Sequence, residues 1–166
     1  MVKKPHFYFL SDQYFSDFPD PYLMKNKPTV SGVKHNRPCF FAFPDRKNIN
    51  ISWMVPVSSQ HQKYTDIIQK RVAKYGFCDT VRIEKFLGRD HAFLIQNMCP
   101  VTNKYLIPYI DKKNQPVRID NRIAARVTKN AQDVLEKAKH GMKVFYPDVF
   151  KIYKSLEEQL MQEKQD

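Results

Sequence analysis

The sequence predicts an α+β fold, an antiparallel sheet flanked by helices. Two patterns carry this: short apolar and aromatic runs joined by turn residues, and separate stretches whose apolar residues recur at helical spacing. At 166 residues, positions 1–166 fit a single domain, and 42% hydrophobic against 27% charged residues is the balance of a chain that folds.

Residues 6–10 (HFYFL) read as a strand, and Ser11 is placed to start one helical turn in SDQYFSDF. From Pro19 to Arg37 the Pro, Lys, Asn, Ser and Gly content reads as a long surface loop, and loops of that length in small domains more often carry function than not. PCFFAF and INISWMVPV are β-rich runs separated by DRKN, a hairpin at the centre of the sheet. Further strands are expected at 80–86, 91–97 and 103–110, with LGRD and DKKNQ as turns.

Between the strand groups, Tyr64, Ile67, Ile68, Val72 and Tyr75 repeat at helical spacing, and Gly76 ends that helix. A second helix, from about Arg122 to His140, is capped by Asp120, presents Ile123, Val127, Ala131, Val134, Leu135 and Ala138 to the core, and stops at Gly141. Pro147 suits the first turn of a last helix, whose Val149, Ile152, Tyr153, Leu156 and Leu160 form one apolar stripe.

The formal net charge of +11 makes a polyanion the default partner, because Lys and Arg neutralise phosphates and release condensed counterions. Charge alone does not separate DNA, RNA and anionic lipid, or a merely basic soluble protein. No apolar stretch is long enough for a membrane span or a signal peptide. Cys39, Cys78 and Cys99 are odd in number and lack a close pair, which fits a reducing cytoplasm without disulfides. Phosphate-loop, zinc-protease, CxxC and serine-hydrolase motifs are missing, and the five histidines are scattered, so neither a metal nor a cofactor is expected.

The stretch WMVPVSSQHQKY runs a strand into a helix and sets Ser58, Ser59, His61 and Lys63 at the junction. A helix N-terminus offers unpaired N–H groups and the positive end of a dipole, a natural phosphate site. Ser59 with Gln62 also reads as a plain capping box, and a lone His as a surface residue. RNA cleavage without metal needs a base for the ribose 2′-OH, an acid for the leaving oxygen, and cations or N–H donors for the phosphorane. His61 can exchange protons, Arg37 and Lys34 can offset charge, and Tyr14 or Tyr22 can stack on a base, with core packing the plain alternative for Tyr14.

These residues resemble a known family. The opening FYFLSDQYFSDF resembles the start of ToxN-like endoribonuclease toxins of type III toxin-antitoxin systems, with Tyr14 at the position of a functional tyrosine. PVSS entering a helix is similar to that family's Pro-Leu-Thr-Ser turn, LIQNMCPV to its Asn/Met-x-Pro-Ile/Val strand, and Arg37 stands where a basic residue leads into a strand. The set suggests the CptN-type branch, runs from about residue 7 to about 110, and extends to the C-terminal third only in helical character.

The resemblance implies a small, twisted, barrel-like antiparallel sheet related to MazF and Kid. It also implies metal-independent, sequence-preferring RNA cleavage that leaves 2′,3′-cyclic phosphate ends. Inhibition would come from direct binding of a repeated RNA pseudoknot antitoxin in a protein–RNA assembly, so that substrate RNA and antitoxin RNA are both partners. The chain departs from the family in carrying Ser58-Ser59-Gln60-His61 for Thr-Ser-x-Lys, and Arg37 for Lys, with Lys34 close by. The resulting expectation is that Ser59 and the helix N-terminus hold the scissile phosphate, His61 moves a proton, Arg37 offsets charge, Tyr14 positions the nucleotide, and Ser58 assists. Lys63, Arg122, Arg126 and Lys129 would contact RNA phosphates. The rival readings are a non-catalytic RNA- or DNA-binding module and a toxin that acts by binding a protein, as CcdB does.

Overall fold

β1 (Phe7–Leu10) opens the fold and passes through Ser11 into a short helix, α1 (Asp12–Asp17). The computed structural model describes residues 4–30 and 33–166, with side chains described outside 27–35. The segment expected to be one long loop contains paired backbone: β2 (Lys27–Val30) and β3 (Val33–His35) form a two-stranded sheet of their own. The expected central hairpin follows, β4 (Pro38–Pro44) against β5 (Ile51–Ser58), with every residue of β5 buried.

α2 (His61–Tyr75) ends at Gly76, whose φ of 84° lies in the left-handed region where a side chain would be strained. β6 (Arg82–Phe86) and β7 (Arg89–Phe93) are joined by the two residues Leu87 and Gly88, both at positive φ, a turn whose twist matches that of the strands. Two single turns of 3-10 helix, Ile95–Asn97 and Asn103–Tyr105, flank β8 (Cys99–Thr102) and precede the short β9 (Leu106–Pro108). The strands expected at 91–97 and 103–110 are cut short by these turns. α3 (Asn121–Lys139) is capped by Asp120, which accepts from the Arg122 amide. α4 (Val149–Gln165) is capped by Asp148, so Pro147 lies just outside the first turn rather than in it.

The main sheet runs β6-β7-β5-β4-β1-β9, and β8 also pairs with β5. One side of β5 is therefore shared, β8 taking Ile51 to Met54 and β7 taking Val57 and Ser58. Pro56 sits where one partner hands over to the other. Its missing N–H costs no ladder bond there, while its carbonyl accepts from the Leu94 amide at 2.9 Å.

α3 covers one face of the sheet, burying Val127, Ala131 and Val134 against Phe7, Phe40, Val55 and Phe93. α1 and α4 cover the other, with Tyr14, Ile152 and Leu156 against Met54, Cys99 and Val101. α2 packs at the β6–β7 end through Tyr64, Ala92 and Leu94. Its expected apolar stripe is only partly used: Ile67 and Ile68 are half-buried, and Val72 and Tyr75 are exposed.

The barrel-like closure expected from the family resemblance is not reached. Among the described strands β6, β8 and β9 each pair on one side only, so the sheet stays open. The sheet nonetheless curls strongly, so that Phe86 of β6 lies 4.1 Å, centroid to centroid, from Phe7 of β1 and 6.5 Å from Tyr109 just past β9. No helix among the described residues is long and apolar enough to cross a membrane.

Candidate active site

Arg37 immediately precedes β4, and the β4–β5 register, Cys39 opposite Pro56, sets it beside the C-terminal end of β5. Its Nη1 donates to the Val57 carbonyl at 3.2 Å and its Nε to the Lys25 carbonyl at 3.5 Å. The Arg37 amide donates to Asn26 Oδ1, while Asn26 Nδ2 donates to the Leu10 carbonyl and to Asp12 Oδ1. Asn26 thus ties the Arg37 backbone to the end of β1, while the guanidinium spans the Lys25 carbonyl and the end of β5.

Ser58, the last residue of β5, is buried, and its Oγ accepts from the Gln60 amide at 3.2 Å, which shapes the turn. Ser59 is exposed and its carbonyl accepts from the His61 amide. The capping box does not form. Gln60 is the N-cap, no side chain caps the helix, and Gln62 is turned toward Asp66 at 3.1 Å. With the His61 amide taken by Ser59 and the Tyr64 amide by the Gln60 carbonyl, the Gln62 and Lys63 amides are the first-turn donors of α2 that have no partner within the helix. His61 and Lys63 are exposed in that same turn, with Lys63 Nζ 5.3 Å from the Tyr64 ring centre.

The β6–β7 hairpin supplies a neighbour for His61 that the sequence reading missed. Antiparallel partners share a face, and the register pairs Ile83 with Ala92 and Lys85 with Asp90, so all four lie on the α2 side. Lys85 Nζ meets Asp90 Oδ1 at 2.8 Å. The hydrogen bond from Lys85 outweighs a smaller desolvation effect, and with the positive charge of Lys85, His61 and His91 it holds the Asp90 carboxyl below its ordinary range. The two-residue Leu87–Gly88 turn fixes this register, and counting alternate residues onward from it would have put Asp90 on the α2 face. Asn26 and Lys25 carried no such signal, since they meet Arg37 through the path of an irregular segment.

Tyr14 takes the core-packing alternative left open for it in the sequence. It has no exposed surface, its hydroxyl donates to the Pro100 carbonyl at 2.7 Å, and its ring packs on Phe15, Phe18 and Tyr105. Burial raises its phenol pKa and likewise that of the neighbouring Cys99 thiol, pushed up to about 12. From this position it is a core residue with no face for a nucleotide. Tyr22, by contrast, is largely exposed and stacks on Tyr146, centroids 6.3 Å apart.

The α3 cations stand apart from the turn. Arg126 meets Glu84 at 3.2 Å on the α3 side of β6, Lys129 pairs with Asp133 at 3.0 Å, and Arg122 is exposed at the start of the helix. Arg37, Ser58, Ser59, His61 and Lys63 are brought together, whereas Arg122, Arg126 and Lys129 form a separate surface. The Lys34 side chain lies outside the described residues. Among the described residues no three His, Cys, Asp or Glu side chains converge as a metal site would require.

No protein-family model and no curated protein matches this sequence. Solved structures do match its fold. The structure of AbiQ, described as a lactococcal anti-phage endoribonuclease belonging to the type-III toxin-antitoxin system, aligns over 99% of this chain and 100% of its own, with a TM-score of 0.65 and 16% identity. A second, from work described as a processed non-coding RNA regulating a bacterial antiviral system, aligns over 87% of this chain and 91% of its own, with a TM-score of 0.60 and 10% identity. The chain shares its fold with these proteins along nearly its whole length.

Proposed function

We propose that this chain is a cytoplasmic ToxN-like toxin of a type III toxin-antitoxin system, of the CptN-type branch, and that residues 1–166 form one metal-independent endoribonuclease domain. The observation that carries the reading is the contact of the Arg37 guanidinium with the Val57 carbonyl, which fixes a cation at the end of β5, just before the turn that leads into the uncapped α2. The full-length likeness to AbiQ supports the same assignment.

In the proposed reaction a base takes the proton of a ribose 2′-OH, whose oxygen attacks the adjacent phosphorus. The bond to the 5′ oxygen breaks as that oxygen gains a proton, leaving a 2′,3′-cyclic phosphate and a 5′-hydroxyl. Ser59 and the first-turn amides of α2 hold the phosphate, Arg37 offsets the charge of the phosphorane, and His61 carries out one of the two proton transfers. Ser58 acts by holding the turn in shape, and Lys63 meets an adjoining phosphate of substrate RNA. A repeated RNA pseudoknot serves as antitoxin, covering the same basic surface in a protein–RNA assembly.

The test is incubation of end-labelled RNA with the purified protein in excess EDTA, beside folded Ser59→Ala, His61→Ala and Arg37→Ala variants, with analysis of the product ends. Cyclic phosphate ends from the wild type that disappear in the variants are expected. Cleavage that survives all three substitutions moves the site elsewhere, and RNA that is bound but never cut returns the chain to the class of binding modules.

A further inference from the structure

Away from the turn, the C-terminal half of α2 borders a cavity of about 520 Å³ lined by Arg71, Tyr75, Phe77, Gln96, Met142 and Tyr146, among others. Its size falls within the roughly 300–1,000 Å³ of pockets that hold small organic groups. Tyr75, Phe77 and Tyr146 are each more than half exposed, as is Tyr22, which stacks on Tyr146 at its rim. Four large rings held in water on one surface are unusual for a protein whose core is otherwise well filled.

The rings are mounted on a rigid frame. Arg71 Nη1 donates to Thr80 Oγ1 at 2.6 Å and to Gln96 Oε1 at 2.8 Å, and its Nη2 donates to the Tyr146 hydroxyl at 3.0 Å. The Tyr146 amide donates to the Gln96 carbonyl, and Asn97 Nδ2 donates to the Tyr22 carbonyl. Cations stand among the rings: Lys74 Nζ lies 5.1 Å from the Tyr75 ring centre and Lys137 Nζ 5.0 Å from that of Phe77, while Lys143 lines the cavity. Lys137 is paired with Asp79, which also lines the cavity. Phe77 continues into a second, more open groove that carries Arg82, Arg126 and Lys129.

Separate exposed π-faces interleaved with cations match the chemistry of single-stranded nucleic acid, whose bases stack while its phosphates meet charge. A docked helix or strand of another protein would want a continuous aliphatic face instead, and duplex RNA keeps its bases paired away from such rings. We infer that the cavity between the C-terminal half of α2 and the α3–α4 connection is a binding site for unpaired bases of RNA, distinct from the Ser58–His61 turn. The inference deepens the proposed function and rests on its premise that the chain's partner is RNA. Arg71 holds the frame, Tyr75 and Tyr146 stack on bases, and Lys74 and Lys143 meet the flanking phosphates.

The test measures fluorescence anisotropy with labelled 2′-O-methyl oligonucleotides of about ten nucleotides, a length within the range single-strand sites accept. The methyl group blocks cleavage whatever the active site. Three probes are compared: the single strand, the same strand annealed to its complement, and an abasic strand of the same charge. Tyr75→Ala with Tyr146→Ala is expected to weaken the single strand about tenfold or more, as loss of base stacking does, and to leave the other two within about twofold. Tyr146→Phe, which keeps the ring and loses only the hydroxyl that Arg71 holds, is expected to weaken the single strand less than the double alanine variant does.

Equal weakening of all three probes, no weakening, or no binding of the single strand by the wild type overturns the inference. Base-dependent binding without cleavage in the EDTA assay removes the nuclease reading and leaves this site standing. Cleavage at the turn with anisotropy unmoved by the ring substitutions does the reverse.

Discussion

Arg37 Nη1 donates to the carbonyl oxygen of Val57 at 3.2 Å, so the guanidinium is anchored one residue before the Ser58–Ser59 turn. A flexible ammonium could reach the same place, but the planar fork reaches Val57 and, through Nε, Lys25 at once. Arg37→Ala is expected to lower kcat for RNA cleavage by about 10²-fold, the scale of losing one preorganised donor to transition-state charge. Arg37→Lys is expected to fall between the two, because charge is kept and the second anchor is lost. Single-turnover rates on one RNA check both, and an alanine variant as fast as wild type removes Arg37 from the site.

His61 is assigned one of the two proton transfers, so its loss should reshape the pH–rate profile as well as lower the rate. His61→Ala is expected to reduce cleavage by about 10²–10⁴-fold and to abolish one limb of the profile. Asp90→Asn, which removes the carboxylate on the α2 side of the hairpin, should displace that limb without abolishing it. A uniform drop that leaves the profile's shape intact in His61→Ala argues against proton transfer.

Tyr14 is placed as a core residue, and its removal should therefore affect stability and not chemistry. Tyr14→Phe leaves the Pro100 carbonyl without its side-chain donor, at a cost of about 1–3 kcal/mol in unfolding free energy. Cleavage by the folded variant should match wild type. Denaturant melts and rates measured on the same sample separate the two effects, and a rate loss at unchanged stability would restore a role at the site.

Asp45 joins the β4–β5 turn to α4. Its carboxylate accepts from the amides of Lys47 and Asn48, from Trp53 Nε1 at 2.9 Å and from the Tyr153 hydroxyl at 2.7 Å. Desolvation pushes the carboxyl up, yet these hydrogen bonds together hold it below its ordinary 3.8. The unfolded chain then binds the proton more readily, so the Asp45 contribution is present above that ordinary value and is lost as pH falls through the lower folded one. Asp45→Asn should cost about 2 kcal/mol at neutral pH, since one amide end must face donors, and should flatten the acid limb of stability. Urea midpoints between neutral and acid pH test this.

RNA binding by a cleavage-blocked probe should weaken linearly with the logarithm of salt. Lys63→Ala should reduce that slope by about one. Arg126→Ala should do the same if the α3 face belongs to the interface, and an unchanged slope excludes that face.

The strands β1, β4, β5 and β6, the three long helices and the turn at Ser58 were legible because each is set by local pattern: β-rich runs, helical spacing, and Gly or Asp at the ends. What escaped was decided by tertiary placement. Tyr14 stands in a six-residue helix, too short for periodicity to say which side faces the core. Val72 and Tyr75 keep helical spacing although both are exposed, and spacing does not record where a packing neighbour ends. The strand expected at 103–110 contains a 3-10 turn, because Tyr105 must leave the strand path to bury its ring against Tyr14 and Phe18. Arg37 was legible as a basic residue ahead of a strand; its anchor, a backbone carbonyl, carries no side-chain signature.

The partner exchange at Pro56 has a further consequence for how the molecule breathes. The β6–β7 hairpin joins β5 through Val57–Phe93 and Ser58–Ala92, a shorter ladder than the one binding β4 to β5. A seam of that kind opens by sub-global fluctuation before the rest of the sheet, so amide deuterium uptake should be faster across the hairpin and α2 than across β4 and β5. Ser58, Ser59 and His61 lie along that seam, so RNA seated on the turn would slow exchange there first.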